Sequence, residues 1–111
     1  MIEFDDFAKV EMRIGRIVAV RPFPEARKPS YQLRIDFGAE LGERDSSAQL
    51  TVTHPDPAVL VGRQVVAVVN FPPRRIAGFD SQVLLLGAMG ANGEVWLLEP
   101  NPASPLGLRV G

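Results

Sequence analysis

No cysteine occurs in the 111 residues, so disulfides, thiolate metal ligands and cysteine nucleophiles are excluded together. Histidine occurs once, as His54, which rules out a zinc or di-iron centre built from several imidazoles. Long hydrophobic runs are missing too. The densest, Val65 to Val69 and Val83 to Leu86, fall far short of the ~20 residues that cross a bilayer, so no membrane insertion is expected. The opening Met1-Ile2-Glu3-Phe4-Asp5-Asp6 is acidic where a secretory leader is basic. No serine stands in a nucleophile-elbow pattern, and no glycine-rich phosphate loop is present. Asp5-Asp6 and Glu43-Arg44-Asp45 read as helix-cap and turn carboxylates, and His54 beside Pro55 as a solvated or capping residue. These absences point to a soluble, cytoplasmic protein that is not an enzyme and carries no cofactor and no metal.

What is present suffices for one small core. Hydrophobic residues make up 46% of the chain and charged residues 23%, the balance of a globular protein, and the length fits one domain over residues 1–111. The formal net charge is -1, but the charges segregate along the chain. Residues 12–35 hold Arg13, Arg16, Arg21, Arg27, Lys28 and Arg34 against Glu25 alone, and residues 57–79 hold Arg63, Arg74 and Arg75 with no acid. The segments around them are acidic. Two basic blocks meeting on one face would give a nearly neutral protein a local positive field.

Several short strands follow one another. A short helix over 5–9, capped by Asp5 or Asp6, precedes a strand from Met12 to Val20, with a bulge expected at Gly15. Pro22, Pro24 and Pro29 punctuate a loop carrying Arg27 and Lys28. Tyr31, Leu33, Ile35 and Phe37 alternate strictly with polar residues, the mark of a half-buried strand. A polar turn is expected over 39–45, and a third strand where Ala48, Leu50 and Val52 alternate with Gln49, Thr51 and Thr53. Asp56-Pro57 through Gly62 marks a short helix, Gln64 to Val69 a buried strand, and 71–81 a loop. Strands over 82–88 and 94–98 meet at Asn92-Gly93, and Trp96 is expected in core or interface. The fold class is therefore all-β: a five-stranded OB-fold barrel with a short helix between strands 3 and 4, plus N- and C-terminal extensions.

The loop Asn70-Phe71-Pro72-Pro73-Arg74-Arg75-Ile76-Ala77-Gly78 and the following Phe79-Asp80-Ser81 carry the most chemical information. Two prolines stiffen the backbone ahead of two arginines, which lowers the ordering cost of gripping an anion. Asn70 can both donate and accept. Phe71 and Phe79 could stack on bases, although burial in the core is the commoner fate of phenylalanine.

This loop resembles the hallmark of CsaA-type proteins, small relatives of the tRNA-binding domain of methionyl-tRNA synthetase and endothelial-monocyte-activating polypeptide. Further stretches agree, in the family's order: Glu11 to Ile17, Phe23 to Lys28, Ile35 to Gly38 and Ser46 to Leu50. Gln82-Val83-Leu84 after Ser81 is the CsaA-type pattern, where the wider family has Glu-Gly-Met. The resemblance implies a homodimeric OB-fold that binds tRNA. It places the RNA-binding residues at Asn70, Arg74, Arg75, Ser81, Arg27 and Lys28. It also implies an alternative, an export-related chaperone that binds unfolded polypeptides. The apolar tail with Pro102, Pro105, Leu106, Leu108 and Val110 is expected to pack on the partner copy, together with Phe4 and Phe7.

Overall fold

The structure, a computed structural model, describes residues 1–111. The chain begins with one turn and a half of helix, α1 (Phe4–Ala8). Its N-cap is Glu3, not Asp5 or Asp6; the Asp6 carboxylate reaches back to accept from the Glu3 backbone N–H at 3.0 Å. No helix is long and apolar enough to cross a bilayer.

Strand β1 (Met12–Pro22) is the spine of the barrel. Its first half pairs antiparallel with β4 (Gln64–Val68), and its second half with β2 (Tyr31–Asp36). The register shifts between Ile17 and Ala19, so the irregularity lies at Val18 and not at Gly15. Gly15 has another task. A Cβ there would stand 2.6 Å from Ile35 Cγ2 and 2.8 Å from the Phe37 ring, both fully buried. The glycine lets β1 lie directly over the β2 side chains, where any larger residue would hold the strands apart.

β2 carries the expected alternation, with Tyr31, Leu33, Ile35 and the following Phe37 inside. The third strand differs from expectation. β3 is Glu43–Ala48, pairing residue for residue from Asp36↔Glu43 to Tyr31↔Ala48. β2 offers no partner before Tyr31, where Pro29 and Ser30 leave the sheet, so the chain turns after Ala48 and residues 51–53 are a turn. Glu43 and Asp45 are strand residues that both grip Arg34, at 3.0 Å each, instead of turn carboxylates. Those bonds hold the Arg34 guanidinium more firmly charged, first through Asp45 and then through Glu43.

The short helix between strands 3 and 4 is present as a 3-10 turn (Pro57–Leu60), with the Asp56 carboxylate accepting from Ala58 N at 3.1 Å. It places Leu60, fully buried, under the barrel. β4 is buried along its whole length, as its apolar run requires. The segment expected as one strand over 82–88 is two: β7 (Leu84–Leu85) pairs with β4, and β8 (Gly87–Met89) forms a hairpin with β9 (Val95–Leu97). Sheet order is β3-β2-β1-β4-β7. A nearly closed barrel of five strands results, the OB-fold.

Closure between β3 and the chain before β7 uses side chains. The buried Ser46 hydroxyl donates to the Val83 carbonyl at 2.8 Å, and the Gln82 side chain accepts from Asp45 N at 2.8 Å. Gln82 N donates to the Asp45 carbonyl at 2.8 Å in return. The C-terminal tail, expected to cover a partner, folds back on its own barrel: β10 (Arg109–Val110) pairs with Met12 and Arg13, and Gly107 N donates to the Ile14 carbonyl at 2.8 Å. The backbone donors and acceptors of β1 at this end were free, and the tail satisfies them. Trp96 is not core; opposite Ala88, it is 59% exposed. His54 is neither solvated nor a cap. Its ring is half-buried with Nδ1 enclosed and unpartnered, and burial, helped by the Arg63 charge, holds its pKa below the usual histidine value.

The close contact at Gly15 gives a stability prediction. Gly15→Ala forces a methyl into the Ile35 and Phe37 side chains and is expected to cost about 1–3 kcal/mol, as overpacking of a tight core does. Denaturant unfolding of the two proteins measures it, with a shifted midpoint and an unchanged slope.

Candidate nucleic-acid interface

The segment expected as an open loop over 71–81 is a hairpin. β5 (Arg74–Ile76) and β6 (Phe79–Ser81) pair Arg74↔Ser81, Arg75↔Asp80 and Ile76↔Phe79. Ala77 and Gly78 join them with φ of 45° and 83°, both left-handed, which gives the twist a two-residue hairpin needs. Glycine takes that conformation freely, and alanine does so at some cost, so the hairpin is built on Gly78. Phe79 is structural, packing edge-on against buried Phe23 with ring centroids 5.5 Å apart. Phe71 lies ahead of the prolines with no core element over it and is 51% exposed.

The hairpin forms one wall of a groove of about 940 Å³. The other wall is the proline-bounded β1–β2 loop. Arg74 and Arg75 stand on the first wall and Arg27 and Lys28 on the second, so four of the six expected residues, some fifty positions apart in the chain, line one concavity. Glu25 is the acid among them. Arg27, Lys28 and Arg74 make no ion pair, whereas Arg75 meets Asp80 across the hairpin at 2.8 Å, with both side chains largely exposed. Such a pair is weak and easily exchanged for another anion.

Asn70 and Ser81 are placed outside the groove's lining, and each already makes a bond within the chain. The Asn70 amide ties down the N-terminal segment: Nδ2 donates to the Lys9 carbonyl at 2.7 Å, and Oδ1 accepts from Glu11 N at 3.0 Å. Ser81 Oγ accepts from Ser47 N at 2.9 Å and so belongs to the seam that closes the barrel. Both keep capacity for a ligand. Asn70 retains the second N–H of its amide, and Ser81 retains its O–H. Sequence reasoning did not find the groove's apolar floor, where Leu84 and Met89 are the most exposed residues. The excess of leucine over 84–86 was the available signal, but a strand reading sends such residues inward.

The twofold bonding of Asn70 gives a second prediction. Asn70→Ala should lower stability by about 1–2 kcal/mol, the worth of two hydrogen bonds, and speed amide exchange at Glu11 and through α1. Exchange followed by NMR or mass spectrometry tests this; an unchanged α1 would show that the clamp does no structural work.

Comparison with known proteins identifies the family. The family model described as "Putative tRNA binding domain" matches residues 12–109. Chaperone CsaA from Bacillus anthracis str. Ames has a solved structure with 49% identity and a TM-score of 0.93, covering 100% of this chain and 99% of that one. CsaA chaperone protein from Picrophilus torridus is 42% identical with a TM-score of 0.91, covering 100% of both chains. Methionine–tRNA ligase of Enterococcus faecalis is 34% identical over 109 residues, which are 98% of this chain and 16% of the ligase. The chain therefore spans about a sixth of the length of that curated relative. Matched over nearly all of its barrel, the chain belongs to the tRNA-binding domain family.

Proposed function

We propose that the protein binds tRNA in the cytoplasm as a homodimer, without catalysing a reaction, and that the groove is its contact surface. The convergence of Arg27 and Lys28 with Arg74 and Arg75 on one concavity carries this reading. Four cations against one acid make a local field that the net charge of -1 conceals. Three of the four have no internal counterion to give up, so phosphate can replace water and loose counterions at little cost. Arginine's planar fork suits phosphate bidentately, and both walls hold their cations on proline-stiffened backbone. Asn70 and Ser81, with the N–H and O–H left to them, add short-range hydrogen bonds at the hairpin's base.

The dimer follows from what α1 leaves uncovered. No residue of α1 is buried; Phe4 is 79% exposed, and Ile2, Phe7 and Leu108 are exposed beside it in sequence or on the returning tail. Phe4 and Phe7 pack on each other at 6.5 Å between ring centroids, a ready apolar surface for a second copy. Unfolded polypeptide is the second reading. It is favoured by the groove's exposed leucine and methionine and by the likeness to two solved proteins that are named chaperones.

Binding to tRNA should weaken with salt, with log K falling against log salt at a slope of roughly -3 for four phosphate contacts. Arg74→Ala should flatten that slope by roughly one contact. Reversing both Arg74 and Arg75 to glutamate should abolish tRNA binding while moving stability by no more than about 0.5 kcal/mol, since both side chains are exposed. A salt-independent affinity, or a charge-reversed protein that binds tRNA normally and loses unfolded peptide, would transfer the hairpin to the polypeptide reading. Light scattering should give twice 12.1 kDa at micromolar concentration, and Phe4→Asp should return the mass to that of one chain.

A further inference from the structure

The chain has three asparagines, Asn70, Asn92 and Asn101, and the fold leaves their side-chain amides in different chemical situations. An amide carbon is electrophilic. Where the backbone nitrogen of the next residue reaches it, the two close to a cyclic imide and ammonia leaves, a reaction that makes asparagine thermolabile. It needs a nitrogen that bears a proton, an amide and an N–H not engaged elsewhere, and a following residue without bulk.

Asn70 and Asn101 fail these conditions. The Asn70 amide is bonded through both its heteroatoms, to the Lys9 carbonyl and to Glu11 N, and bulky Phe71 follows it. Asn101 is followed by Pro102, whose nitrogen carries no hydrogen, and its Oδ1 already accepts from Ala103 N at 2.9 Å. Asn92 meets them all. It lies with Gly93 in the exposed turn between β8 and β9. The turn is closed by Gly90 N donating to the Glu94 carbonyl at 2.8 Å and by Asn92 N donating to Glu94 Oε1 at 2.9 Å. Neither the Asn92 side-chain amide nor the Gly93 N–H has a partner in the chain. Gly93 adds no bulk of its own, and the space beside it is open, with Val52 Cγ2 3.6 Å from where a Cβ would stand.

We propose that Asn92 is a site of spontaneous covalent modification whose conversion loosens the β8–β9 hairpin. Hydroxide takes the Gly93 N–H proton, and the nitrogen attacks Asn92 Cγ. The N–Cγ bond forms, the Cγ–Nδ2 bond breaks, and the amide leaves as ammonia with a proton from water, which regenerates the hydroxide. A second water then opens the imide. Addition at Cγ gives aspartate, and addition at the main-chain carbonyl gives isoaspartate, in which the chain continues through the former side chain. In sum, one water is consumed and one ammonia released. Both products place a carboxylate beside that of Glu94, where like charges repel. Isoaspartate also adds a methylene to the backbone path, which pulls on the bond from Gly90 N to the Glu94 carbonyl. Met89, Val95 and Leu97 reach the groove from this hairpin, so the modification acts on the groove's lining without touching its cations. The chemistry is independent of what the groove binds.

The full-length protein, kept at physiological temperature in mildly alkaline buffer both folded and in denaturant, tests this. Peptide mass spectrometry should find the amide-to-acid mass gain at Asn92 of the folded protein, with Asn70 and Asn101 intact. Isoaspartate should exceed aspartate, and the rate should rise in proportion to hydroxide. Asn92→Gln, one methylene too long for rapid ring closure, should abolish the gain. The isoaspartate form, separated by ion exchange through its added negative charge, should exchange the Gly90 amide about fivefold or more faster than the unmodified protein. Asn92 left intact in the folded protein over the time in which the denatured chain converts would overturn the site, as would conversion of Asn70 or Asn101 at the same rate. A modified form that exchanges Gly90 at the unmodified rate would overturn the loosening.

Discussion

The barrel is closed by a polar seam, and the groove depends on it. Ser46 is wholly buried, and its hydroxyl has one partner, the Val83 carbonyl. Ser81 and Gln82 complete the seam by serving Ser47 N and Asp45 N. A regular ladder here would have run the chain from β3 straight into the next strand. Side-chain bonds instead hold residues 81–83 against β3 while the β5–β6 hairpin projects beyond it. The end of β3 and the turn after it, from Ser47 to Leu50, then form one side of the groove. An alanine in place of Ser46 would remove the hydroxyl without adding bulk, leaving a buried carbonyl unpaired at a cost of about 1–3 kcal/mol. The distance between the basic walls is thus fixed by hydroxyl and amide groups that hydropathy does not register.

The parts of the fold legible in the sequence are those that bury apolar side chains periodically. β1, β2 and β4 have that pattern, and Asp56-Pro57 with Gly62 brackets the 3-10 turn by backbone chemistry alone. β3 was misplaced by five residues because its outward side chains are Glu43 and Asp45, held by Arg34 across the strand pair, and its inward one is serine. No period of two is visible there, since Glu43, Arg44 and Asp45 are charged in a row and Ser46 alone is buried. The β5–β6 hairpin was hidden for a like reason: its one apolar pair, Ile76 opposite Phe79, is too short to show a period, and Ala77-Gly78 is not the Asn-Gly that announces such turns. The tail's return to β1 is a non-local contact of nearly a hundred residues, beyond the reach of any local pattern.

For the site, residue type was legible and arrangement was not. Two basic blocks are visible in the charge pattern, yet their members divide on folding. Arg34 is held by two carboxylates, Arg13 by Glu11, Arg63 by Glu99 and Arg75 by Asp80, which leaves Arg16, Arg21, Arg27, Lys28 and Arg74 without an ion pair, and of these only Arg27, Lys28 and Arg74 line the groove. Counting cations along the chain overstates the field in the groove, and only the fold separates its members from the equally unpaired Arg16 and Arg21. The polar pair Asn70 and Ser81 shows the opposite case. Each is bonded within the chain, one to the N-terminal segment and one to the seam, so their residue types would be required there with or without a ligand.

On the proposed reading of the groove, stiffness at the rim is what lets a domain of 111 residues hold a long, mobile anion. Of its ten prolines, Pro22, Pro24 and Pro29 flank one wall, and Pro72 and Pro73 enter the other. Each fixes φ before any ligand arrives, so the backbone entropy of positioning the cations is lost on folding and not again on binding. Phe79, packed on Phe23, joins the two walls from below: Phe23 belongs to the β1–β2 loop and Phe79 to the hairpin. The edge-on contact between them joins the walls through apolar atoms. A small barrel has few buried residues to give to such a brace. Placing a buried aromatic there, and not deeper in the core, indicates that the geometry of the rim is what this sequence maintains.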